Sequence, residues 1–74
     1  MERYTILLRS AQEAAEFVDR VSDYQETVEL VIGGNRMDAK SFLGVVGIGL
    51  GKTVIVEIQK ENSGLFEKLT DFVI

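Results

Sequence analysis

The sequence predicts an α+β domain, an open-faced sandwich in which helices pack on one face of a four-stranded, mainly antiparallel sheet, in the order β-α-β-β-α-β-α. Three observations predict it. Short runs rich in β-branched residues alternate with runs whose apolar residues recur at helical spacing. Serines stand where the period changes, at Ser10 and Ser41, and glycines cluster between elements, at Gly33-Gly34 and from Gly47 to Gly51. Such a sheet buries its apolar face under helices, which gives two layers. Residues 1–74 read as one domain, because a chain this short buries only about 60% of its unfolded surface and supports a single small core.

Tyr4 to Arg9 is the first strand; Ile6-Leu7-Leu8 interrupts its alternation and predicts cover on both faces. From Ser10 the pattern turns helical. Ala11, Ala14, Ala15, Phe17, Val18 and Val21 fall on one side, and Gln12, Glu13, Glu16, Asp19, Arg20 and Asp23 fall mainly on the other. Ser10 and Glu13 match a capping box, in which each side chain satisfies a backbone donor of the first turn. Thr27 to Ile32 is the second strand, Gly33-Gly34-Asn35 turns it, and Arg36 to Ala39 returns as a short arm. A short apolar helix over 40–48 follows, with Ser41 as a cap whose hydroxyl is exposed. Thr53 to Ile58, almost continuously apolar, suits a central strand. Asn62 or Ser63 caps a last helix with Leu65, Phe66, Leu69, Phe72 and Val73 on its apolar stripe.

Composition excludes whole classes of chemistry. Twelve acidic against eight basic residues give a net charge of -4, which repels nucleic acid and anionic lipid, so neither is an expected partner. Without cysteine or histidine there is no disulfide, thiol nucleophile, imidazole base or common zinc ligand. The expectation is a protein that is not an enzyme and holds no cofactor or metal. No basic stretch leads into an apolar one at the N-terminus, and the uncharged run Ser41 to Gly51 is far short of the roughly 20 residues of a membrane helix, so the expected location is the cytoplasm.

Two apparent motifs dissolve on inspection. Gly47-Ile-Gly-Leu-Gly-Lys-Thr53 resembles a nucleotide-binding loop, yet position 46 is valine where that motif needs glycine, and the segment runs from helix to strand instead of strand to helix. Its glycines end a helix and turn the chain. The acid pairs Glu13/Glu16 and Asp19/Asp23 lie on a solvated helix face with no histidine or metal motif beside them, and confer solubility.

Ala39-Lys40-Ser41-Phe42-Leu43-Gly44-Val45-Val46 resembles the start of the second helix in HPr, the histidine-containing phosphocarrier of the bacterial phosphotransferase system, whose members carry Lys-Ser, two hydrophobic residues and glycine there. Tyr24, the Gly33-Gly34 turn, Gly49 and the Thr53 to Ile58 strand also fall where that family has similar residues, so the resemblance spans nearly the whole chain. The departures concern the chemistry. The family opens its first helix with a glycine, a hydrophobic residue and His-Ala-Arg-Pro, and the histidine takes the phosphoryl group. Counting back from Ser41 puts Ser10 at the histidine, Ala11 at the alanine, Gln12 at the arginine and Glu13 at the proline; only the alanine survives, and Leu8-Arg9 lacks the glycine.

A serine phosphoester does not pass its phosphate on as a phosphoimidazole does, so Ser10 is a degenerate phosphoacceptor position and is read as a helix cap. Glu13 places a carboxylate where phosphate would sit, and two unit charges about 4 Å apart repel by on the order of 1 kcal/mol in water and about 4 kcal/mol at an effective dielectric near 20. The resemblance implies that Ser41 corresponds to the family's regulatory serine, phosphorylated in some lineages by an HPr kinase. It also implies that Phe42, Leu43 and Val46, beside Lys40, correspond to its partner-docking surface. Apolar residues at 42, 43, 45, 46 and 48 are too many for one buried stripe, so some are expected at the surface.

The expected function is therefore that of an HPr-like protein without histidine phosphocarrier chemistry, acting as a regulatory or docking module through the Ser41 helix. Family members that act in catabolite repression likewise lack the histidine and keep the serine. By resemblance the partners are an HPr kinase, a transcriptional regulator or another phosphotransferase-system component. The alternative is an assembly module in which the apolar helix 40–48 forms a homodimer.

Overall fold

The computed structural model describes residues 1–74. Its elements are β1 (Glu2–Leu7), α1 (Ala11–Ser22), β2 (Val28–Ile32), β3 (Asn35–Asp38), α2 (Phe42–Gly49), β4 (Thr53–Ile58) and α3 (Leu65–Lys68). All four strands join one sheet in the order β1-β4-β2-β3, every pair antiparallel, with the helices on one face and the other face open. The expected class and element order stand.

Period-two alternation sorts the strands. Ile6 in β1, Val28 and Leu30 in β2, and Val54, Val56 and Ile58 in β4 are buried with Ala14, Phe17 and Val21 of α1 and Val45 of α2. β4 is central, as its apolar run suggests. β2 and β3 are joined by the two-residue turn Gly33-Gly34, and only Gly33 has a positive φ, +59°, the pattern of a II′ turn that sets the hairpin register Ile32 opposite Asn35.

The boundaries move. β1 begins at Glu2 and ends at Leu7, and Leu8 makes a lone parallel bridge to Leu50. Cover on both faces is not realised there: Ile6 and Leu8 are buried, while Leu7 is only half-buried on the open face. On α1, Ala11 and Ala15 are exposed, so the buried stripe is the narrower set 14, 17 and 21. Lys40 and Ser41 precede α2, which starts at Phe42.

The largest correction is at the C-terminus. The expected final helix is one turn, entered through Asn62 and Gly64 at φ of +52° and +76°, and Ser63 Oγ accepts from Leu65 N–H at 3.0 Å. Beyond it Leu69 and Phe72 are buried, but the chain runs as a strap along the free edge of β1. Leu7 N–H donates to Phe72 O at 2.8 Å, Ile74 N–H donates to Thr5 O at 3.1 Å, and Ile6 pairs with Val73. Satisfying those edge groups replaces further helical turns. Phe66 therefore lies outside, 5.5 Å from the Tyr4 ring.

Candidate functional site

Two helix starts carry the residues that the sequence singles out. The backbone of Ser10 is extended (φ -151°, ψ 165°), its Oγ accepts from Glu13 N–H at 3.1 Å, and its carbonyl accepts from Ala14 N–H at 3.0 Å. Ser10 is thus the N-cap. The reciprocal arm of the capping box is displaced by one residue: Glu13 Oε1 accepts from Arg9 N–H at 2.9 Å instead of from Ser10, and Arg9 Nη1 lies 3.6 Å away. The carboxylate at the positive end of the α1 dipole thus belongs to the chain itself. Gly51 N–H donates to Leu8 O at 2.8 Å and draws the end of α2 against the start of α1.

Ser41 is the N-cap of α2. Its Oγ accepts from Gly44 N–H at 3.3 Å, its carbonyl accepts from Val45 N–H at 2.9 Å, and the residue is exposed. Asp38 shapes the approach, with Oδ1 accepting from Lys40 N–H at 2.9 Å and its carbonyl accepting from Ser41 N–H at 3.2 Å. Lys40 turns inward, and its Nζ donates to Tyr24 O at 2.5 Å. Since Lys40 meets the end of α1 while Leu50 meets its beginning, the helices run antiparallel and Ser10 and Ser41 stand at opposite ends of the pair.

The apolar residues of α2 divide as their number requires. Val45 is buried and Val46 half-buried against the core, whereas Phe42 is 41%, Leu43 81% and Ile48 38% exposed. Phe42, Leu43 and Val46 share one side of a helix that carries no charge in its first or last turn, with Lys40 and Ser41 at its start. Gly44 keeps that start close to the sheet, since a Cβ there would lie 2.6 Å from Met37 Cε and 3.3 Å from Ser41 Oγ.

Sequence reasoning missed a polar cluster that begins behind Lys40. Tyr24 O–H donates to Ser63 O at 2.9 Å, Lys68 Nζ lies 4.9 Å from the Tyr24 ring centroid, and Ser63 Oγ and Tyr4 O–H both donate to Glu2. The bond from Ser63, seconded by that from Tyr4, holds the Glu2 carboxyl below the usual range, and burial pushes the Tyr4 phenol up to about 12. The only sequence signal was Tyr24 itself, and its partners Ser63 and Lys68 lie 39 and 44 residues away. No helix is long and apolar enough to cross a membrane.

Fold and surface define a small two-layer domain that presents two capped helix starts and an uncharged helical face. Comparison with known proteins gives that class a family. The family model described as the PTS HPr component phosphorylation site matches residues 9–73. A crystal structure of HPr-C-His from Thermoanaerobacter tengcongensis shares the fold, with a TM-score of 0.77 at 23% identity over 96% of this chain and 89% of that one. The chain belongs to the HPr family of the phosphotransferase system, a family of phosphocarriers and not of catalysts.

Proposed function

We propose that this HPr-family chain does not relay phosphate on a histidine and acts as a regulatory or docking module through α2. One observation carries the reading. Ser10, which the count from Ser41 puts at the phosphoacceptor position, already accepts a backbone bond through Oγ as N-cap, and the adjoining donor, Arg9 N–H, is held by the carboxylate of Glu13. A phosphoryl group there would meet that negative charge and lack the guanidinium that Gln12 replaces. The exposed residues Ser41, Phe42 and Leu43 remain as the surface for partners, which by resemblance are an HPr kinase, a transcriptional regulator or another phosphotransferase-system component. A phosphate on Ser41 adds nearly two negative charges at a helix N-terminus that tolerates them, so it alters recognition and leaves the fold intact.

Intact-mass measurement tests both halves. With phosphoenolpyruvate and the first enzyme of the system, the chain gains no mass; a gain would overturn the reading. With an HPr kinase and ATP it gains one phosphate, which Ser41→Ala abolishes. Leu43→Asp weakens capture of the kinase while the fold is retained.

A further inference from the structure

We infer that Lys40 is a clamp on the end of α1 and that the charge on Ser41 decides whether the clamp is closed. The inference rests on the Ser41 reading above and adds how a change at Ser41 reaches the neighbouring helix. Lys40 Nζ donates to the carbonyl of Tyr24, the residue after the Asp23 C-cap of α1, and the lysine is half-buried in making that contact. Arg20, the basic residue in the last turn of α1, is turned away toward Lys68 O and Asp71, at 2.9 and 3.1 Å. Asp23 and Glu26 flank Tyr24 in the chain, so Lys40 supplies a cation at the negative end of the helix dipole. Lys40 is also the residue before the Ser41 N-cap of α2, and a helix start disfavours a cation.

Transfer of the γ-phosphoryl group of ATP to Ser41 Oγ, with loss of the hydroxyl proton and release of ADP, puts a near-dianion next to Lys40. An anionic oxygen attracts an ammonium with a full charge where a carbonyl offers only a partial one, so the phosphate competes with Tyr24 O for Lys40. Lys40 therefore leaves Tyr24 O for the phosphate, and the turn at Tyr24 loosens. Tyr24 holds Ser63 O through its hydroxyl, so the change passes to the segment before α3.

The test is NMR on the full chain with phosphoserine installed at position 41. The Tyr24 carbonyl carbon moves upfield on losing its ammonium donor, and the Tyr24 amide, bonded to Val21 O at 3.1 Å, exchanges roughly tenfold faster. Lys40→Met shows both changes without phosphate, and phosphorylation adds nothing to them; Lys40→Arg behaves as wild type. A Tyr24 carbonyl unmoved by phosphoserine overturns the clamp, as does an equal response in Lys40→Met. Kinase capture by Leu43→Asp is read separately, so a silent Tyr24 sinks the clamp alone and undiminished capture sinks the docking surface alone.

Discussion

Arg36 Nη1 lies 2.6 Å from Glu57 Oε1 although β2 runs between the strands that carry them. Glu57 stands opposite Arg3 on one side, whose Nη2 is 2.7 Å from Oε2, and opposite Glu29 on the other. Arg36 also reaches Glu29, at 3.3 Å, and so separates two carboxylates that would repel. The array spans all four strands of the open face, and the two guanidinium groups leave Glu57 only 1% exposed. Arg3 meets Oε2 as a close ion pair, while Arg36 bonds Oε1.

The hydrogen bond from Arg36, with the charge of Arg3 added and burial opposing, holds the Glu57 carboxyl below its ordinary value of 4.5. A carboxyl lowered in the folded state stabilises fully above its unfolded pKa and loses that contribution as pH falls through the folded one. Thermal unfolding should therefore show wild-type stability falling below about pH 4.5 more steeply than that of Glu57→Gln. At pH 7 the variant, which leaves Arg3 unpaired and Arg36 with Glu29 alone, should melt about 5 °C lower.

The two tyrosines give an alkaline counterpart. Burial, followed by the Glu2 acceptor, pushes Tyr4 up to about 12, and burial with the charges of Glu2 and Glu67 raises Tyr24. At pH 10 each phenol should be less ionised in the native chain than after unfolding in denaturant, as read by phenolate absorbance. Raised values stabilise below the unfolded pKa, so this contribution disappears as pH climbs through about 12.

The element order and the Ser10 and Ser41 caps were legible because they depend on neighbours: alternation, helical spacing and a serine ahead of an apolar run are read within a few residues. The Glu57 array was not, since an acid in Thr53 to Ile58 reads as solvent-facing until Arg3 and Arg36 arrive from 54 and 21 positions away. The C-terminal strap was missed for the same reason. Leu65, Leu69 and Phe72 keep a helical spacing, but the β1 edge that straightens the chain beyond α3 is nearly 70 residues distant. The sequence sets Lys40 beside the proposed docking surface, and only the antiparallel run of α1 and α2 brings its ammonium to Tyr24.

Two glycines should respond in opposite directions. Gly47 lies inside α2 with a backbone any residue adopts and open space for 4 Å around the place a Cβ would take, so Gly47→Ala should stabilise by about 0.5–1 kcal/mol through helix propensity. Gly51 has φ +74°, and Gly51→Ala should cost about 1 kcal/mol although its surroundings are equally open. Urea denaturation of the pair distinguishes backbone strain from packing.

Substitutions at position 10 separate capping from phosphotransfer. Ser10→Ala should lose about 1 kcal/mol, and Ser10→Asp should retain wild-type stability because aspartate caps as well as serine. Ser10→His supplies an imidazole, but Glu13 still holds the helix start and Gln12 offers no guanidinium. It should gain no acid-labile phosphate from phosphoenolpyruvate and the first enzyme, whereas adding Gln12→Arg and Glu13→Pro should permit it. Gain by the single variant would show that the histidine alone was missing.

The exposed face of α2 is better matched to transient contact than to self-assembly. The exposed parts of Phe42, Leu43 and Ile48 amount to on the order of 300 Å². A stable interface needs about 800 Å² from each partner, and two copies each carrying a charge of -4 also repel. Sedimentation should therefore show a monomer from micromolar to near-millimolar concentration, at low and at moderate salt. Leu43→Asp should leave both the sedimentation coefficient and the melting temperature unchanged, because a side chain 81% exposed contributes little to the core. A dimer at micromolar concentration that Leu43→Asp dissolves would mean that α2 joins copies of the chain, and the docking surface would then be covered before any other partner reached it.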